Sequence, residues 1–411
     1  MPCGRSDRVV VIRDNRAPMK IIRLREGRDR SLLRRHPWVF EGSIAKGKAD
    51  AGETVRVESA EGAFLCWASF SPNSLIRVRA WSFDEQERID AAFFERKIAA
   101  ALALRARMPI DSDAVRLIHG EADGLPGLIV DRYGDTLSAQ FLSAGTERWK
   151  QTIADQLLAQ TGLTRIYERS DANVRALEGM EPVTGWLRGE GGTEIVISEN
   201  TWKLSLDVAE GHKTGYYLDQ RDNRRKFAEA VRQYGCESVL NCFSYTGGFS
   251  VAALAGGATE VISVDSSGPA LARATAHVAL NGFDPARHTA LDADVNHTLR
   301  DMLKQGRRFD AIVLDPPKFA PTAAHADRAA RAYKDINRLG LMLLKPGGLL
   351  FTFSCSGGVG PELFHKIVAG AGIDAGTDGL ILDRVGATPD HPQTIYFPEG
   401  EYLKGLLILK R

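Results

Sequence analysis

The spacing of apolar positions changes along the chain, and each change predicts a different kind of element. From Met19 to about Phe83 the apolar residues fall in short runs over 54–58, 64–70 and 75–81, separated by Gly, Pro and Asn. Such runs predict a small β-barrel, taken as residues 19–88. A helical period follows over 89–108, with Ala92, Phe93, Ile98, Ala101 and Leu104 on one face. Strand-like pieces at 128–130, 137–141 and 165–168 then alternate with a helical stretch over 147–160. This predicts a small α/β domain over 89–198, with a turn at Gly189, Gly191 and Gly192 near its end. After Asp207 strands and helices alternate regularly to Lys404, the pattern of a doubly wound, mostly parallel sheet, so residues 199–411 are expected to form a Rossmann-like α/β domain. Residues 1–18 precede the first patterned stretch and are expected to be a flexible extension, or to lie upstream of a true start at Met19.

At 411 residues the chain exceeds the ~250–300 residues at which a single core stops growing, which agrees with more than one domain. Formal net charge is only +1, which excludes a polycation that coats nucleic acid indiscriminately. Residues 1–50 nevertheless hold 13 Lys or Arg against 6 Asp or Glu, so any nucleic-acid surface is expected there. The five cysteines are odd in number and have no C-x-x-C spacing, which argues against disulfides and against a metal site and favours the cytoplasm. No apolar run approaches the ~18 residues needed to span a bilayer, and the first 18 residues do not resemble a signal peptide.

Chemistry concentrates in the last domain. A strand over 238–241 leads into Cys242-Phe-Ser-Tyr-Thr-Gly-Gly and a helix beginning near Phe249, where glycine lets the backbone approach a ligand. The next strand, 261–264, ends at Asp265, 24 residues past Asn241, where a carboxylate can accept both hydroxyls of a ribose. Dinucleotide enzymes share that spacing, but this loop lacks G-x-G-x-x-G and any evident pyrophosphate cradle. A cofactor with a ribose and no phosphate fits better, and S-adenosylmethionine is one. An ordinary glycine turn beside a solvated aspartate is the plainer alternative. A helix over 269–280 stops at Asn281-Gly282. Asp294 falls where a third strand should end, suited to the adenine amino group or equally to an exposed loop.

The strand over 309–314 runs into Asp315-Pro316-Pro317-Lys318, a turn stiffened by two prolines that faces a planar polar ligand in fixed geometry. The strand over 349–353 delivers Ser354-Cys355-Ser356-Gly357-Gly358 to the same edge. A thiolate there can add to carbon 6 of cytosine, which makes carbon 5 nucleophilic enough to take a methyl group. Asp315 would donate to N3 as a carboxylic acid, which requires a raised pKa in a dry pocket. Taken alone, Cys355 reads as a small buried hydrophobe, and only its place after this strand favours a nucleophile. Core roles are expected for Cys66 and Cys236, and loop packing for Cys242.

These residues resemble the RlmI family of large-subunit ribosomal RNA cytosine-C5 methyltransferases. The matching strings are Leu33-Arg-Arg-His-Pro-Trp-Val-Phe, Glu121-Ala-Asp-Gly-Leu-Pro-Gly, Gly211-His-Lys-Thr-Gly-Tyr-Tyr-Leu-Asp-Gln-Arg, Leu240-Asn-Cys-Phe-Ser-Tyr-Thr-Gly-Gly-Phe, Asp315-Pro-Pro-Lys-Phe and Phe353-Ser-Cys-Ser-Gly. The resemblance runs from Met19 to the C-terminus. It implies an N-terminal PUA domain, a middle domain and a methyltransferase domain acting on 23S ribosomal RNA at the cytosine 1962 site, with a homodimer among the allowed assemblies. By that likeness Cys355, Asp315 and Lys318 are catalytic. Tyr217, Asp219, Gln220, Arg221, Asn241, Phe243, Tyr245, Thr246, Gly247, Asp265, Ser266, Asn281, Asp294, Asp315 and Pro316 would hold the cofactor, with Arg221 or Lys213 on its carboxylate. Arg28, Arg34, Arg35, His36 and Trp38 would meet RNA. Two rivals stay open: a base amino-group methyltransferase of the guanine N2 type, which needs no thiol, and a non-catalytic ribosome-assembly factor that only binds RNA.

Overall fold

The computed structural model describes residues 19–319 and 326–411; the expectation for residues 1–18 lies outside them. The N-terminal module is a six-stranded sheet in the order Trp38–Phe40, Ile76–Ser82, Phe64–Phe70, Thr54–Glu58, Ile21–Leu24, Ile44–Lys46. Alternation explains it: Val55 and Val57 point inward with no exposure while Thr54 and Arg56 are only half-buried, as a sheet covered on one side requires. The helix Ala91–Ala106 follows, started by Asp90, whose carboxylate accepts from the Phe93 amide at 3.1 Å. It lays Phe93, Phe94 and Ile98 on the middle domain's sheet, whose order is Val183–Arg188, Arg165–Ser170, Thr136–Phe141, Leu128–Tyr133, Ala114–His119.

The expected boundary at residue 198 falls inside a β-hairpin, Glu194–Glu199 paired with Trp202–Asp207. Its apolar face, Ile195, Ile197, Trp202, Leu204 and Leu206, shares one core with Ala114 and Tyr133 of the middle domain and with Phe227, Phe249 and Val278 of the last domain. Hydrophobic burial therefore joins the two domains here, where the strand pattern alone suggested a break. The glycine turn before it is as expected, with Gly189 at φ 66° and Gly191 at φ 137°.

The last domain is a seven-stranded sheet in the order His288–Asp292, Glu260–Asp265, Ser238–Cys242, Phe309–Leu314, Leu344–Ser354, Lys404–Lys410, Gly379–Gly386, parallel through its first five strands. Helices Arg221–Tyr234, Gly248–Gly256 and Gly268–Leu280 pack on one face; Val295–Lys304, Ala326–Leu343 and Pro361–Asp374 pack on the other. Strand order reverses between Ser238–Cys242 and Phe309–Leu314, and a crevice outside the strand ends is expected at that switch point. The loops that leave those two strands carry Phe243–Gly247 and Asp315–Lys318, so topology brings the two motifs together.

Candidate active site

The loop after Cys242 turns sharply: Phe243 and Tyr245 hold φ 57° and 47°, unusual for residues with side chains, and Gly247 holds 74°. The turn is fixed by Asp265, whose Oδ2 accepts from the Tyr245 amide at 2.8 Å and whose Oδ1 accepts from the Ser267 amide at 3.0 Å. Each oxygen keeps a second lone pair for a ribose hydroxyl. Beneath the loop Asn241 donates to Ser250 Oγ at 2.9 Å, and the Thr246 carbonyl pairs with His277 Nδ1 at 2.8 Å. Asn241 thus supports the loop from within the core.

Across the switch point, Asp315 accepts from Gln220 Nε2 at 3.0 Å. Burial, then the nearby Asp219 carboxylate, push the Asp315 carboxyl up to about 7 despite the Gln220 bond. Asp219 moves the other way: burial would raise it, but Lys213 Nζ at 2.7 Å and the Tyr402 hydroxyl at 2.7 Å hold it well below the usual carboxylate range. Two neighbouring acids are thereby pushed apart, one held ionised and one raised toward neutrality. Cys355 is half-buried beside them, its thiol 3.9 Å from the Pro316 carbonyl. Burial, then Asp315, raise its pKa, while the charges of Lys213 and Lys318 oppose this. Next to it Lys404 donates to the Ser356 carbonyl at 2.8 Å.

Two expectations are corrected, those for Arg221 and Asn281. Arg221 does not face a cofactor: it is fully buried, and its guanidinium clasps Asp390 at 3.0 and 3.1 Å. Asn281 is spent on the backbone of Lys203, donating to its carbonyl at 2.8 Å and accepting from its amide at 2.7 Å, so it pins the hairpin to the helix Gly268–Leu280. Trp38 donates to Glu121 at 2.8 Å and lies edge-on to Phe397, centroids 4.7 Å apart; His36 meets Phe397 and Glu399. Those two rings join the first domain to the others, whereas Arg28, Arg34 and Arg35 are exposed. Asp294 caps the helix Val295–Lys304 through its Oδ1, which accepts from the His297 amide at 2.8 Å, and Ser266 is exposed nearby. Sequence reasoning missed Tyr402 and Lys404; they come from the chain's end, whose strand inserts antiparallel beside the Cys355 strand. No motif marks them.

The residues present fit S-adenosylmethionine. Asp219 Oδ1 and Ser244 Oγ are buried without a hydrogen-bond partner beside the crevice, as expected of groups that await a polar ligand. Asp265 ends its strand where a ribose would lie, and no group of His, Cys, Asp and Glu able to hold a metal occurs among the described residues. No helix among them is long and apolar enough to cross a membrane.

Comparison with known proteins agrees. A family model for S-adenosylmethionine-dependent methyltransferases matches residues 174–395, and one for PUA-like domains matches residues 22–83. The chain is 50% identical to Ribosomal RNA large subunit methyltransferase I of Vibrio cholerae, over 93% of this chain and 98% of that protein. It is 48% identical to the protein of the same name from Alteromonas mediterranea, over 93% of this chain and 97% of that one. The fold matches a SAM-dependent methyltransferase from Streptococcus mutans with TM-score 0.81 at 23% identity, covering 95% of this chain and all of that one. It also matches the methyltransferase SMU.776, solved with SAH, with TM-score 0.83 and the same coverage. With its PUA-like module, its switch-point crevice and these relatives, the chain belongs to the ribosomal RNA large subunit methyltransferase I family of S-adenosylmethionine-dependent enzymes.

Proposed function

We propose that this chain is a cytoplasmic enzyme that methylates carbon 5 of a cytosine in 23S ribosomal RNA, at the cytosine 1962 site by family likeness. The relatives' names support the ribosomal RNA substrate. The observation that carries the carbon-5 chemistry is a half-buried thiol, Cys355, beside a carboxyl held near neutrality, Asp315.

Tyr217, Asp219 and Gln220, with the 243–247 loop and Asp265, would hold the cofactor, which when bound supplies an electrophilic methyl group. Asp315 has two tasks that its raised pKa suits. As a carboxylate it takes the Cys355 proton, a transfer the charges of Lys213 and Lys318 favour. As the resulting carboxylic acid it donates to N3 of the base while the thiolate adds to carbon 6. Electron density then returns to carbon 5. After methyl transfer the carbon-5 proton passes to solvent, the thiolate leaves carbon 6 as the ring becomes aromatic again, and N3 returns its proton to Asp315, which restores the Cys355–Asp315 pair.

Bisulfite sequencing of ribosomal RNA from cells with and without the gene tests the product. With Cys355→Ala, turnover and any covalent protein–RNA adduct are expected to vanish together. Methylation that survives this substitution would instead favour an amino-group acceptor, which Asp315-Pro316-Pro317 alone could serve.

A further inference from the structure

A cavity of about 140 Å³ opens on the outer side of the cofactor loop, between the hairpin strand Trp202–Asp207 and the start of the helix Gly268–Leu280. Asp207, Glu210, His212, Tyr245, Thr246 and Arg273 are among its walls, but Asp265, Asp315 and Cys355 are not. We propose that it docks an unpaired guanine of the RNA close to the base that is methylated, a proposal that rests on the RNA reading above.

Three observations point to such a ligand. The His212 ring stacks on Tyr245 with centroids 4.4 Å apart and planes 20° from parallel, and His212 is exposed, so a flat base can extend the stack. Thr246, only 4% exposed, has a hydroxyl with no hydrogen-bond partner. The remaining charges are committed except one. Arg273 is held by both oxygens of Glu194, at 2.7 and 2.8 Å, and Asp207 accepts from the Ala209 amide and from Thr193. The Glu210 carboxylate has no hydrogen bond or ion pair among the described residues.

A free carboxylate repels phosphate and accepts two parallel donors. Of the four bases only guanine offers them, N1–H and the N2 amine side by side. Adenine and cytosine present a ring acceptor at the corresponding position, and uracil a single donor flanked by two acceptors. Partial covering of the His212 ring, on the side turned to Tyr245, lowers its pKa and favours an uncharged stack.

The test uses the full chain and an RNA transcript carrying the target region, with each guanine near the target replaced in turn by inosine, which lacks the N2 amine. One replacement is expected to raise KM about tenfold with kcat unchanged, about 1.4 kcal/mol, since inosine keeps N1–H and loses only the N2 donor. Glu210→Gln should raise KM similarly, and with Glu210→Gln present the inosine replacement should cost nothing more. The proposal is overturned if no inosine position changes KM, if the two effects multiply, or if Glu210→Gln weakens SAH binding in calorimetry, which would assign the cavity to the cofactor. KM is followed on whichever base mass spectrometry shows to be methylated, so a wrong carbon-5 reading appears separately in the product.

Discussion

Two buried groups of charges flank the segment 217–224 and obey opposite rules. On one side every arginine fork meets a carboxylate: Arg221 with Asp390, Arg224 with Glu199, Arg116 with Asp131, and Arg105 with Asp123. On the other, Asp219, Asp315 and Cys355 lie near one another, and among the described residues Lys213 is the one cation bonded to an acid there. The matched side joins elements far apart in sequence, since Arg221 and Asp390 lie 169 residues apart. On the mismatched side burial and the Asp219 charge raise the Asp315 carboxyl to about 7. Complete pairing marks structure here, and incomplete pairing marks chemistry.

The sharpest way to break the matched side is Arg221→Ala, which strands Asp390 in the interior. A loss of about 3–5 kcal/mol is expected in denaturant unfolding, and replacing both partners with Met and Leu should recover most of it. A double variant no more stable than the single one would mean that the pair is not the unit.

On the mismatched side, Asp315→Asn should lower kcat about 10²-fold, by removing a general acid, while stabilising the fold. The sign follows from a carboxyl raised from 3.8 to about 7. Its relative stabilisation of the fold is complete below 3.8 and is lost as pH rises through about 7. Asparagine has no such loss. The thermal midpoint of the variant should therefore exceed wild type more at pH 8 than at pH 4, and a constant difference would contradict the buried-acid reading.

A smaller effect is expected from Lys213→Ala. Its charge lowers the pKa of Asp219, Asp315 and Cys355 alike, so its removal should move the pH–rate profile to higher pH. An unmoved profile would place Lys213 outside the coupling. Smallest is Asp294→Ala, outside both groups, expected to cost ~1 kcal/mol through its lost helix cap and to leave the pH profile unchanged.

Much of the last domain was legible because three of its strands run into motifs: Asp265, Asp315 and Cys355 all stand where periodicity ends a strand. Arg221 and Asn281 were misassigned because a polar residue near a motif looks the same whether it faces a ligand or a distant partner. Asp390 and Lys203, which engage them, are 169 and 78 residues away. The hairpin over 194–207 was cut for a related reason, since strand periodicity shows which face is buried and not against what.

The sequence by itself determined the order of elements, the cofactor class and the sulfur at the end of its strand, because local periodicity and loop chemistry are written in neighbouring residues. Only the tertiary structure decided which acids are ionised and which side chains are already bound. Those properties depend on burial and on charges contributed from remote segments, of which Tyr402, reaching Asp219 from 183 residues away, is the plainest case.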